Sequence, residues 1–119
     1  MAVILCLETS TTNCSVAIAV DGEIIALQED NNNKYSHAEK LHSFIDQVLA
    51  ESGTLKSSLQ AIAVSKGPGS YTGLRIGVSA AKGLCFAIDV PLIAIPTLEA
   101  LAHQAEVENG CIIPMLDAR

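Results

Sequence analysis

The chain has 119 residues, half of them hydrophobic and 17% charged, with seven Lys and Arg against thirteen Asp and Glu for a net charge of −6. That length predicts one domain, and the composition excludes intrinsic disorder, which needs low hydrophobicity and high charge. The acidic balance also excludes a nucleic-acid binder that works alone by releasing counterions from phosphates.

Val3 to Leu7 is a continuous apolar run, the pattern of a strand covered on both faces. It carries no basic n-region and reads as a strand rather than a signal peptide. Ser15 to Val20 is a second run and Glu23 to Glu29 a third. Asp21 and Gly22 between them predict a type I′ hairpin turn, which needs positive φ at both central residues. Asp30 to Lys34 is polar and reads as a loop. The period then changes. Ser36 and Glu39 have capping-box spacing, and Leu41, Phe44, Ile45, Val48 and Leu49 form one helical stripe. Gly53 closes that helix. Ala61 to Ser65 is a short strand, Lys66 to Ser70 an irregular turn, and Thr72 to about Ala87 a helix. Pro91 to Ile95 is a strand, Thr97 to Glu106 a helix with Thr97 as N-cap, and Cys111 to Leu116 a last strand.

Three strands paired antiparallel, followed by strand–helix–strand units, predict a mixed five-stranded α/β sheet flanked by helices, of the ribonuclease-H-like or actin-like type. Ile112 to Arg119 repeats the pattern of Val3 to Ser10 at an offset of 109: an apolar run, then an acid, then a small residue. Residues 1–109 are accordingly expected to form an N-terminal actin-like domain. Residues 110–119 are expected to be the first strand of a second such domain, mostly absent.

Four groups of residues are candidates for function. Glu8, Thr9, Ser10 and Thr11, at the first strand's end, offer an acid and hydroxyls that suit phosphate oxygens; the same residues are ordinary turn formers. Lys66, Gly67, Gly69 and Ser70 precede a helix, where backbone N–H groups can face an anion, but match neither common nucleotide fingerprint. His37 and His42 stand five apart and point about 140° away from each other on a helix, so they make no zinc pair. Gly73, Gly77 and Ala81 recur every four residues in a helix where each glycine costs about 1 kcal/mol relative to Ala. Close approach of another backbone explains that cost, from the parent sheet or from another subunit. With Leu74, Val78 and Leu84 beside them, and Leu41, Phe44, Ile45 and Val48 on the preceding helix, they are interface candidates. The four cysteines sit far apart among aliphatic residues, which suggests neither zinc nor disulfides and fits a reduced, cytoplasmic compartment. No stretch is long enough to span a membrane.

Lys66 to Gly77 (KGPGSYTGLRIG), with Leu7 to Thr12 (LETSTT) and Ala81 to Leu84 (AKGL), resembles the TsaB (YeaZ) family of the actin-like ASKHA superfamily, once grouped with the M22 glycoproteases. The similarity covers essentially the whole chain. It implies a non-catalytic scaffold for TsaD in forming N6-threonylcarbamoyladenosine (t6A) in tRNAs that read codons beginning with A. TsaE is implied as a third component, a homodimer as the state in isolation, and tRNA as held mainly by the partners. TsaD-like chains carry a metal-binding H-x-x-x-H at positions that match Thr97 and Leu101 here, so no metal and no catalytic residues are expected. Glu8 stands where actin-like phosphotransferases usually have Asp. No cofactor is expected on this chain alone, with ATP at a subunit junction left open. The competing expectations are an ATP-binding phosphotransferase half and, remotely, a metallopeptidase.

Overall fold

A computed structural model describes residues 2–11, 13–31 and 37–102. The elements are β1 (Val3–Glu8), β2 (Asn13–Val20), β3 (Glu23–Asn31), α1 (His37–Ser52), a short 3-10 turn (Lys56–Ser58), β4 (Ala61–Gly67), α2 (Tyr71–Ile88), β5 (Leu92–Pro96) and α3 (Thr97–Ala102). The strands form one sheet in the order β3-β2-β1-β4-β5. The first three are antiparallel, while β4 and β5 join in parallel after helical crossovers, as expected for a mixed sheet.

Register puts one apolar row on one face. Leu5 lies opposite Ile18 on one side and Ile62 on the other, and Leu7 opposite Val16 and Val64. These side chains form the core together with Leu41, Ile45 and Val48 of α1 and Ala81 of α2. Each fully buried aliphatic side chain contributes roughly 1.5–3 kcal/mol. Leu41, Ile45 and Val48 therefore pack against the chain's own sheet and are not surface contacts, which corrects the expectation that placed them at an interface. A helical stripe marks a buried face without saying which surface covers it.

The local signals hold in detail at several ends. Asp21 and Gly22 have φ of 51° and 86°, and Gly53 has 67°, as a primed hairpin turn and a left-handed helix end require. Asp21 also accepts a hydrogen bond from the Ala2 amide at 2.8 Å. Other boundaries move. β3 continues through Asp30, expected to lie in a loop, and Asp30 pairs with Lys40 of α1. β4 keeps Lys66 and Gly67, expected to be irregular, because Gly67 still pairs with Pro96 across a register shift. The Gly67–Pro68 peptide bond is cis. Thr97 is already the first residue of α3 rather than its cap, and its buried hydroxyl has no hydrogen-bond partner among the described residues. Ser36, the end of the expected last helix and residues 110–119 lie outside the described residues.

Candidate functional site

The two turns singled out in the sequence meet. Strand alternation places Glu8 and Ser65 on the face opposite Leu7 and Val64, at the adjacent ends of β1 and β4. The Glu8 carboxylate bridges the cluster. Its Oε1 accepts from the Ser10 amide at 3.1 Å and from the Ser10 hydroxyl, and its Oε2 accepts from the Ser65 hydroxyl. Thr9, Ser10 and Ser65 are all buried.

The glycine-rich turn closes over this group. The Ser70 amide donates to the Ser10 carbonyl at 2.7 Å, and Ser70 caps α2 by accepting from the Gly73 amide at 3.2 Å. The Thr9 hydroxyl donates to the Gly73 carbonyl at 2.7 Å. A Cβ on Gly69 would lie 2.5 Å from the Ser10 carbonyl oxygen, and one on Gly77 would collide with the Thr9 hydroxyl. Gly69 and Gly77 are thus glycine because the β1–β2 turn rests directly on them. Gly73, Gly77 and Ala81 are buried within the chain, which corrects their assignment to a subunit contact.

Among the phosphate candidates, then, Glu8, Thr9, Ser10, Gly69 and Ser70 come together, but they bond to one another. The Thr11 hydroxyl accepts from the Asn13 amide at 3.3 Å, a local turn closure. Lys66 is exposed and Gly67 has φ of 116°. Ser65 and the Gly73 carbonyl were missed in the sequence. A strand serine carries no signal of its own until pairing with β1 puts it beside an acid. Among the described residues no three His, Cys, Asp or Glu side chains cluster to hold a metal ion.

The outer face of α2 is different. Tyr71, Leu74, Arg75, Val78 and Ser79 line a surface cleft of about 260 Å³, with the Arg75 guanidinium 5.7 Å above the Tyr71 ring centroid. Phe86, farther along, is 92% exposed, and Tyr71 75%. Leu74 and Val78 are half-buried, as is Leu84, which packs against the core with Val78. Phe44 of α1 is likewise half-buried against the core. The only charges on α2 are Arg75 and Lys82, both positive. No helix of the described residues is long and apolar enough to cross a membrane.

Comparison with known proteins gives the chain's relatives and the fold it shares with them. The TsaD family, described as tRNA N6-adenosine threonylcarbamoyltransferase, matches residues 28–119. A Haemophilus influenzae protein named tRNA threonylcarbamoyladenosine biosynthesis protein TsaB is 38% identical over 98% of this chain and 49% of its own length. The chain thus spans about half the length of the curated relatives it matches. The solved structure of YeaZ from Pseudomonas aeruginosa superposes with a TM-score of 0.81 at 36% identity, covering 87% of this chain and 47% of that one. Thermus thermophilus RuvC, at 12% identity and a TM-score of 0.55 over 83% of this chain and 67% of its own, shares the fold alone.

Proposed function

The chain belongs to the TsaD (tRNA N6-adenosine threonylcarbamoyltransferase) family, and from that premise we propose that it is a non-catalytic partner of a TsaD transferase. In this role it supports formation of the threonylcarbamoyl group of t6A in tRNAs reading codons that begin with A. The observation that carries the reading is the outer face of α2, where Tyr71 and Arg75 line the cleft with Leu74 and Val78 and Phe86 stands exposed farther along. An exposed Tyr stacked with an Arg at an apolar cleft is the composition of a protein-binding hot spot. The opposite face of the same helix is fixed to the sheet by the Thr9 contact, so the binding face is presented rigidly.

In this reading a second copy covers the α2 face in isolation, and TsaD displaces it when the working complex forms. TsaE joins that complex, and the partners hold most of the tRNA phosphates, since the chain carries a charge of −6. Any ATP bound in the assembly lies at a subunit junction. The setting is the cytoplasm. An ATPase half working through the β1–β2 turn is the weaker reading, because the hydroxyls that would meet phosphate are bonded within the chain.

Size-exclusion chromatography with light scattering, on the chain mixed with TsaD from the same organism, tests the reading together with a t6A assay run with and without the chain. A 1:1 complex and chain-dependent t6A are expected. A strict monomer that leaves TsaD unbound at micromolar concentration, or one that makes t6A unaided, refutes it.

A further inference from the structure

We propose that Glu8 is a built-in anion: its carboxylate occupies an oxyanion site formed by the Ser10 N–H, the Ser10 hydroxyl and the Ser65 hydroxyl, and its removal opens that site to a phosphate group. Three donors from two strand ends converge on one carboxylate. Both donor side chains are more than nine-tenths buried, Ser10 at 1% and Ser65 at 4% exposed. Buried donors need partners, and a negatively charged acceptor serves them better than a neutral one. A cluster of donors around a negative oxygen pair is what a phosphate group also requires. Here the chain supplies the anion itself.

The surrounding contacts keep the donors in place whether or not the carboxylate is there. Ser10 is held through its carbonyl by the Ser70 amide and flanked by Gly69. Thr9 is pinned to the Gly73 carbonyl. Ser65 belongs to β4, between two paired strands. Deleting the Glu8 side chain beyond Cβ therefore leaves a preformed pocket whose lining donors lack an acceptor. In the native chain the same carboxylate repels an incoming phosphate and fills its place, so nucleotide phosphates are kept from this end of the sheet. The inference concerns the turn alone and holds whichever partner docks on α2.

Thermal melting of the full chain tests it, with wild type, Glu8→Ala and the double variant Glu8→Ala/Ser65→Ala each measured in chloride and in inorganic phosphate at equal ionic strength. The wild type is expected to show only the small general rise that phosphate, a kosmotropic salt, gives a folded protein. Glu8→Ala should melt lower in chloride and gain roughly 4–6 °C in phosphate beyond the wild-type rise, at ten times its dissociation constant. Removing the Ser65 hydroxyl as well should cut that gain by at least half. If Glu8→Ala is unfolded in chloride, recovery of its circular dichroism on adding phosphate takes the place of the melting shift. An equal rise in the wild type, no rise or recovery in Glu8→Ala, or a rise indifferent to Ser65 overturns the proposal.

Discussion

The cysteines illustrate how far single residues decide chemistry here. Burial pushes the thiols of Cys6, Cys14 and Cys85 above their ordinary value of 9.0, with Lys40 partly opposing it at Cys14. All three are free, Cys14 buried and Cys6 and Cys85 half-buried, and a neutral thiol so placed is a small hydrophobe rather than a nucleophile. The folded state holds these protons more tightly than the unfolded state does. The stability they lend is therefore complete at neutral pH and is lost as pH climbs past the ordinary thiol value. Urea midpoints measured at pH 7 and pH 10 should show a steeper fall for the wild type than for the variant with all three replaced by Ala. Equal falls would show that the thiols ionise as freely folded as unfolded. Glu8 is the contrasting case. Its position at a strand end marks it in the sequence as a functional acid, yet what it does follows from Ser65, fifty-seven residues away, which no local pattern ties to it.

At the scale of elements, the glycines of α2 carry the clearest test. Gly77→Ala places a methyl group against the Thr9 hydroxyl and must displace it from the Gly73 carbonyl. Losing a buried hydrogen bond and overpacking the contact should cost about 2–4 kcal/mol, more than the helix propensity gained. Gly83 has open space around its Cα and is exposed, so Gly83→Ala should stabilise by up to about 1 kcal/mol. Denaturant midpoints check both signs; two stabilising substitutions would mean that the turn does not rest on α2. The four-residue spacing of small residues made a close approach legible in the sequence, and the close approach is there. What approaches was not legible, because helical period reports a face and not its occupant. The same holds for α1, whose apolar stripe predicted the helix well and its burying surface wrongly. Boundaries at Asp30 and Gly67 moved for a related reason. Polar and glycine residues read as breakers, but strand pairing with a neighbour kept them in the sheet.

For the molecule as a whole, a mixed sheet, antiparallel at its first strands and parallel after the helical crossovers, was legible from apolar runs and turn residues, whereas the order β3-β2-β1-β4-β5 came from the structure. The outer face of α2 was only half legible. Leu74 and Val78 were singled out, while the aromatics Tyr71 and Phe86 were not, because an isolated exposed aromatic in a sequence looks like any core residue until the packing is known. The arrangement divides the molecule into a closed end, where the acid and hydroxyls satisfy one another, and a helix face on which Tyr71, Arg75 and Phe86 stand exposed. Function should therefore follow the face and not the turn. Calorimetric titration of TsaD with wild type and with Arg75→Glu/Phe86→Asp, two substitutions at exposed positions, measures this most directly. The account predicts at least about a 30-fold loss of affinity, equivalent to about 2 kcal/mol, with the melting temperature of the isolated variant unchanged. Undiminished binding by the variant would contradict it.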